Sequence, residues 1–149
     1  MAQTTGAISS TDFKIETSPD GAAWTDRSGF ATKITPAGGE RPTGQKHTFD
    51  GDVPIVTKGK RSARSYTVEY VYTEGAADLF EVVRAAHEAG SAFYIRWSPK
   101  GGQTGEFQFT TAAGVITTFT EPMGDADSAD PVVLSFELVT PSSTKSVAA

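Results

Sequence analysis

The sequence of 149 residues contains no cysteine, which excludes disulfides, thiolate metal sites and cysteine nucleophiles. It also contains no asparagine, which fits either a heat-adapted or a composition-biased source. An excess of basic residues is missing too, because the formal net charge is -5. Proteins that grip nucleic acid by neutralising phosphates cluster Lys and Arg on one face. The composition therefore argues against that class of protein.

Long apolar runs are absent as well. No segment approaches the run of about 20 apolar residues that spans a bilayer, and the first residues lack the basic and apolar regions of a secretory signal. We therefore expect a protein that folds in a cytoplasm and does not insert into a membrane. With 38% apolar residues, the chain is too hydrophobic to be disordered. We expect one domain over residues 1–141 and a flexible, serine-rich tail over 142–149.

Strand patterns dominate the sequence. Phe13 and Ile15 alternate with polar residues before a turn at residues 18–21, which predicts a hairpin. The clearest alternation lies in residues 62–73, where tyrosines and one valine share a face. Residues 132–140 are apolar on both faces and should form a central strand. Further strands are predicted over residues 31–35, 93–98, 106–111 and 115–121.

One segment has a helical period. Leu79, Val82, Val83 and Ala86 recur at the spacing of an amphipathic helix, which predicts a helix over about residues 76–89 that ends at Gly90. Together, the predicted strands and the single helix indicate a mainly β fold. We expect a β-sandwich or partly closed barrel of about seven or eight strands, with one flanking helix and a long arm loop over about residues 36–61.

The arm is the most informative segment, because it is long, polar and rich in Gly and Pro. A connection of this length is either disordered, functional or held by a partner. It nevertheless contains apolar side chains that a solvated loop does not need. These favour an anchor on another surface, with packing on the arm's own domain as the alternative. The candidate contact residues are Thr48, Phe49, Asp50, Val53, Pro54, Ile55, Val56, Lys58 and Lys60.

Motifs for chemistry are incomplete. His47 and His87 lie far apart on the predicted arm and helix, and no third ligand pairs with them. Asp125, Asp127 and Asp130 resemble part of a calcium loop but lack its central Gly and terminal Glu. We expect an acidic turn there, with a weak calcium site at a subunit junction as the alternative. The sequence predicts no enzyme, no catalytic residue, no resident metal and no cofactor.

The order of these elements resembles the major tail tube protein of long-tailed, siphovirus-like bacteriophages. The likeness rests on the end of the arm at residues 48–60, the strand at 66–74 and the single helix at 76–89, and it covers about residues 13–140. It implies a β-sandwich flanked by one helix, whose subunits form hexameric rings that stack into a hollow tube. The implied partners are further copies of the chain, a tape measure protein, tail terminator and distal tail proteins, and DNA that passes without specific binding. The implied location is the virion, after a period in the host cytoplasm.

The resemblance also implies an acidic lumen and an arm that reaches a neighbouring subunit or ring. A strand face that lines a water-filled channel should be polar, while its other face packs on the core. Negative charge on that face repels phosphates. The candidate lumen residues are Thr67 and Glu69, or Glu106, Gln108 and Thr110. We expect the arm to be mobile in the monomer and ordered in the tube, because ordering costs about 1 to 2 kcal/mol per residue.

Two alternatives stay open at this point. The first is a monomeric β-sandwich module that binds carbohydrate or decorates a capsid, with Tyr66, Tyr70, Tyr94 and Trp97 as an exposed platform. Burial of these aromatic residues within the sandwich would argue against it. The second is the tube protein of a contractile tail or secretion system, which shares the broad architecture.

Overall fold

The structure, a computed structural model, describes residues 2–149, so Met1 of the expected domain lies outside it. Those residues contain one α-helix, α1, over Leu79–Ala89 and a short 3-10 helix over Ser10–Asp12. They also contain eleven strands. In chain order the strands are β1 Lys14–Ser18, β2 Thr25–Asp26, β3 Ala31–Gly38, β4 Thr43–Lys46, β5 Ile55–Lys58, β6 Arg64–Val71, β7 Tyr94–Ser98, β8 Phe107–Thr111, β9 Val115–Phe119, β10 Val133–Thr140 and β11 Ser143–Val147.

Two antiparallel sheets form the body of the molecule. One has five strands in the order β11-β8-β7-β1-β2, and the other has four in the order β3-β6-β10-β9. Within residues 2–149 neither sheet closes into a barrel, so the structure is the predicted β-sandwich with one helix. The prediction of seven or eight strands was too low. It missed the two strands of the arm and the last strand, whereas β1 and the very short β2 form the predicted hairpin.

The core lies between the two sheets and is rich in aromatic side chains. β6 buries alternate residues, as its sequence predicts, and β10 lies between β6 and β9, as expected of a central strand. The ring of Phe136 on β10 meets the rings of Tyr70 and Phe93 edge-on, both at 5.9 Å between centroids. Each large apolar side chain buried in this way stabilises the fold by roughly 1.5–3 kcal/mol.

Helix α1 begins three residues later than its period predicts. Asp78 is the N-cap residue, and its carboxylate accepts a hydrogen bond from the Gly75 amide at 2.9 Å, which holds the preceding residues in a turn. The helix buries Leu79, Phe80 and Val83. Gly90 follows with φ of 64°, and its amide donates hydrogen bonds to the carbonyls of Ala86 and His87. This geometry confirms the predicted helix end.

The segment 142–149, expected to be a flexible tail, instead forms β11 along the edge of β8. The Ala148 amide donates to the carbonyl of Glu106 at 2.8 Å, and Ala148 is buried. A serine-rich segment is mobile only where no neighbouring strand of the fold can pair with it. Here the unpaired edge of β8 supplies backbone hydrogen bonds that a small polar segment can satisfy.

Candidate functional site

The arm is a two-stranded ribbon and not the expected loop. β4 pairs with β5 in antiparallel register, with Thr43 opposite Lys58. Backbone hydrogen bonds also connect the stem, where the Gly39 amide donates to the Ala63 carbonyl at 3.0 Å. The ribbon therefore continues the β3–β6 ladder out of the sandwich.

The ribbon bends where it leaves the sheet. Gly38 and Gly39 have φ of 72° and 74°, in the left-handed region that favours glycine. A Cβ atom on Gly38 would overlap the carbonyl oxygen of Ala63. The two sides of the stem are also unequal, with four residues, 39–42, opposite five residues, 59–63, between paired positions. An extra residue on one side of a ladder is a β-bulge, which bends and twists the pair.

The apolar side chains of the arm do not pack on their own domain. Phe49 is fully exposed, Val53 is 77% exposed, and Ile55 and Val56 are each about 60% exposed. The structure thus disagrees with the alternative in which the arm folds back on the sandwich. Contiguous exposed apolar side chains of this kind mark interaction surfaces. The other candidate arm residues, Thr48, Asp50, Lys58 and Lys60, are exposed too, and Pro54 is half-buried.

Thr67 and Glu69 lie on the outer face of the four-stranded sheet, because the intervening residues of β6 are buried. Glu69 is opposite Lys33 on β3 and Ser135 on β10. Thr67 is opposite Glu137 on β10. Within residues 2–149, neither Glu69 nor Glu137 is in a salt bridge. The middle of this face is polar, with hydroxyl groups and two carboxylates that are in no salt bridge, and the Glu137 carboxylate accepts a long hydrogen bond from Thr117 at 3.5 Å. Val115 and Val133 are exposed on the same sheet, at 46% and 48%.

Gln108 and Thr110 lie on the opposite side of the molecule. Thr110 is opposite Arg96 on β7, which pairs with Glu16 on β1, on the outer face of the five-stranded sheet. Glu106 precedes β8, and its carboxylate accepts a hydrogen bond from the Gln103 amide at 2.9 Å. Gln108 and Thr110 therefore lie on the outer face opposite to that of Thr67 and Glu69, and one channel cannot be lined by both faces.

The electrostatics of the two outer faces differ. On the five-stranded sheet, the Arg96 guanidinium donates two hydrogen bonds to the Glu16 carboxylate, at 2.7 and 3.2 Å. The Lys14 Nζ lies 3.7 Å from the same carboxylate. A bidentate pair of this kind neutralises the carboxylate locally. On the four-stranded sheet the carboxylates keep their charge exposed to an approaching molecule.

The proposed aromatic platform does not exist as a surface. Tyr66 and Tyr70 are 1% and 0% exposed, and Trp97 packs between Tyr66 and Phe109 at centroid distances of 4.9 and 5.7 Å. Only Tyr94 lies on an outer face, half-buried. The alternation of aromatic residues in β6 and β7 reflects core packing.

The remaining sequence candidates form no site. His87 packs edge-on against Phe119 at 5.0 Å, and His47 is exposed in the arm. Asp125 accepts a hydrogen bond from the Asp127 amide, as in an ordinary exposed turn. Residues 2–149 contain no group of three or more His, Asp or Glu side chains that could hold a metal ion. No helix in the described part of the chain is long and apolar enough to cross a membrane.

Sequence reasoning missed part of the polar face. Lys33, Ser135 and Glu137 complete it, and their place follows from strand register, which a single sequence does not reveal. A signal was present for two of them. Ser135 and Glu137 alternate with buried residues along β10, although the strand was interpreted as apolar on both faces.

Comparison with known proteins gives matches in structure only. No protein-family model and no curated protein matches the sequence. A chain in the anti-feeding prophage baseplate structure, 6-fold symmetrised, has a TM-score of 0.72 at 11% identity, with 98% of this chain and 99% of that chain covered. A chain of the sheath–tube complex of the PVC extracellular contractile injection system has a TM-score of 0.67 at 15% identity, with coverage of 96% and 93%.

The SPP1 tail tube gives a further match, with a TM-score of 0.66 at 16% identity, and 95% of this chain and 80% of that chain covered. These similarities span contractile injection systems and a phage tail. They cover both sheets, the helix and the arm, because nearly the whole chain aligns in each case. The chain has the fold of tail tube proteins.

Proposed function

We propose that this chain is a tail tube subunit, which assembles with copies of itself into stacked six-membered rings around a hollow lumen that conducts DNA to a host. The observation that carries the proposal is the shared fold over nearly the full length of chains from tube and tail assemblies. Two of the similar chains come from structures with six-fold symmetry, the prophage baseplate and the tail of a gene transfer agent.

The four-stranded sheet is the part of the subunit best suited to the lumen. Its two edge strands, β3 and β9, each have one side that pairs with no other strand of residues 2–149. An unpaired edge offers backbone groups to a neighbouring strand, so successive subunits can extend the sheet around a ring. The outer face, with Thr67 and Glu69, then faces the channel, while the aromatic face stays in the core.

Charge on that face suits the passage of DNA. Among the paired positions of β3, β6 and β10 that face outward, Glu69 and Glu137 outnumber Lys33. Arg64 is paired too, but it lies over the Tyr66 ring on the other side of the strand. Exposed charges act over about 8 Å at physiological ionic strength. Carboxylates on the wall therefore repel phosphates that come close, and hydroxyl groups keep the wall hydrated. DNA then slides without a specific binding site.

The arm joins subunits in this proposal. Its apolar side chains lose water only when a neighbouring subunit or ring covers them, and that burial offsets the entropy of ordering the ribbon. A tube of this kind also needs partner proteins at its two ends and inside its lumen. They are tail terminator and distal tail proteins, and a tape measure protein. The protein is then a virion component that waits in the host cytoplasm before assembly.

The setting we favour is the long non-contractile tail. The fold is common to contractile injection systems and to the SPP1 tail tube, so it supports the tube function in either setting. The rival function of a carbohydrate-binding or capsid-decorating module loses its main support, because Tyr66 and Tyr70 are buried and Trp97 packs between Tyr66 and Phe109, which leaves only Tyr94 on an outer face.

Negative-stain electron microscopy of the purified protein over a range of concentration and salt tests the proposal. We expect hollow tubes or six-fold rings. A protein that stays monomeric under every condition, and also when short tubes are supplied as seeds, would contradict it.

A charge reversal tests the position of the lumen. In tubes of Glu69→Lys/Glu137→Lys, the wall becomes basic, and we expect short duplex DNA to remain inside at low salt and to leave at high salt. The control Glu74→Lys/Glu121→Lys makes the same change in net charge at two other exposed positions. Equal retention of DNA by both variants would place the lumen elsewhere.

A further inference from the structure

A groove of about 400 Å³ opens beside β8 at one end of the five-stranded sheet. Its apolar lining includes Ile8, Phe107 and Phe109. Phe109 stacks on Trp97 and so faces the core side of the sheet, and Phe107, two residues earlier on β8, projects to the same side. Ile8 is 53% exposed and Phe107 is 54% exposed. The groove is thus an extension of the core face that the other sheet does not cover.

The charges around this groove are mainly positive. Lys100 and Lys145 line it, and the Lys145 Nζ lies 3.7 Å from the centroid of the Phe107 ring. Glu106 also lies there, but its carboxylate accepts a hydrogen bond from the Gln103 amide. The groove therefore suits an apolar group that carries negative charge beside it.

The tip of the arm, residues 48–53, has that composition. Phe49 is fully exposed, and Asp50 and Asp52 follow it within three positions, with no Lys or Arg between residues 48 and 53. The tip is thus an aromatic side chain followed by two carboxylates. Its charge is opposite to that of the two lysines at the groove.

A second groove of similar size is less suitable. It runs along β1 and β3 and has a volume of about 420 Å³. One lysine, Lys33, lines it, together with four apolar residues and the hydroxyls of Ser10, Thr11, Ser28 and Thr32. Hydroxyl groups that lose water to a phenyl ring gain no hydrogen bond in return. An aromatic anchor is accommodated at lower cost beside Phe107.

We propose that Phe49 of one copy inserts into the groove lined by Ile8, Phe107 and Phe109 of a second copy, with Asp50 and Asp52 beside Lys100 and Lys145. The occupant comes from a second copy because, within one chain, Phe49 is fully exposed and contacts no part of its own groove. The inference rests on the proposed self-assembly and adds the surface that receives the arm. Aromatic anchors in apolar pockets commonly dominate the energy of such interfaces.

The absence of cysteine allows a direct test by disulfide cross-linking. Thr48→Cys lies beside the anchor, and Ile8→Cys lies in the groove. We would mix the two single variants under assembly conditions, oxidise them mildly, and count the peptides that join position 48 to position 8. Val115→Cys replaces Ile8→Cys in the control mixture, since Val115 is similarly exposed, at 46%, but lies on the other sheet.

We expect the 48–8 product to exceed the 48–115 product clearly. Addition of Phe49→Ala to the arm variant should lower the 48–8 yield about tenfold or more. Lys100→Glu should lower it about two- to fivefold, and Asp50→Lys in the partner should restore it. Restoration by the reversed pair is the result that a general loss of folding does not produce.

The outcomes separate this inference from the assembly itself. Tubes of the unsubstituted protein together with equal 48–8 and 48–115 yields would overturn the docking and leave the tube function standing. A protein that forms neither tubes nor the 48–8 product would overturn both.

Discussion

The sandwich and the arm are both built of antiparallel strands, but only the sandwich buries side chains. On β6 every second side chain is buried, and Tyr66, Val68 and Tyr70 are at most 1% exposed. On β5, which contains Ile55 and Val56, no residue is buried. An alternating strand buries one face only when a second layer covers it. The arm is therefore a ribbon without a second layer, and this contrast agrees with the proposal that a second copy of the chain covers it.

Hydrogen exchange should show the largest difference between the two regions. A two-stranded hairpin alone is marginally stable, so the amides of β4 and β5 should exchange in the monomer with an opening free energy near zero. The amides of β6 and β10 should approach the global free energy of unfolding, about 5–15 kcal/mol. In assembled tubes the arm should become protected. Exchange followed by mass spectrometry on monomer and tubes checks this, and an arm as protected as β10 in the monomer would break the comparison.

Replacement of phenylalanine by alanine should lower the free energy of unfolding far more in the sandwich than in the arm. Phe136→Ala removes a core ring and should lower the free energy of unfolding by about 3–5 kcal/mol. Phe49→Ala changes an exposed side chain and should stay within about 0.5 kcal/mol in the monomer, although it weakens assembly. Denaturant titration of both monomers measures the difference. A large loss for Phe49→Ala in the monomer would mean that the arm packs on its own domain.

The sequence predicted the body well because its signals are local. Alternation in β6, the helical period around Val83 and Gly90 at the helix end each depend on neighbouring residues only, and the structure has all three features. The pairing of β10 with β6 and β9 depends on residues far apart in the chain. Its central position was predicted correctly, although the reason given was wrong, because β10 buries only alternate residues and has Ser135 and Glu137 on the outer face.

The sequence predicted the arm and the polar face less well. β4 reads Thr-Gly-Gln-Lys and has no apolar residue, so nothing in its pattern separates a strand from a loop. β11 is similarly short and polar, and its pairing depends on the free edge of β8. The lumen candidates came from alternation alone, which gives two faces per strand. Only the register shows that Glu69 and Thr110 belong to opposite sides of the molecule.

The junction between the two regions can be tested at Gly38. Gly38→Ala places a Cβ against the Ala63 carbonyl at positive φ, so we expect a loss of about 1–3 kcal/mol in the free energy of unfolding, or a ribbon that leaves the sheet at another angle. Gly29→Ala is the control, since its added Cβ meets nothing within 4 Å. Denaturant titration and electron microscopy of the tubes measure the two effects. Equal behaviour of both variants would show that the bend does not depend on this glycine.

The smallest effect concerns a polar group inside the body. The Tyr70 hydroxyl is buried without a hydrogen-bond partner among the described residues, and an unsatisfied buried group is costly. Tyr70→Phe should therefore raise the free energy of unfolding by about 1 kcal/mol. Tyr94→Phe, on an outer face, should change it by less than about 0.5 kcal/mol.

The pH dependence of this substitution gives a second measurement. Burial raises the pKa of Tyr70 to about 12, whereas an unfolded tyrosine has a pKa of about 10. Ionisation of Tyr70 therefore leaves the free energy of unfolding unchanged below pH 10. As the pH rises from 10 through 12 that free energy falls, because the tyrosine of the unfolded chain releases its proton first. Denaturant titration at pH 8 and pH 11 should show a smaller loss for Tyr70→Phe than for the unsubstituted protein. Equal losses would mean that water reaches this hydroxyl. The core of the sandwich would then be more accessible to solvent than its difference from the arm implies.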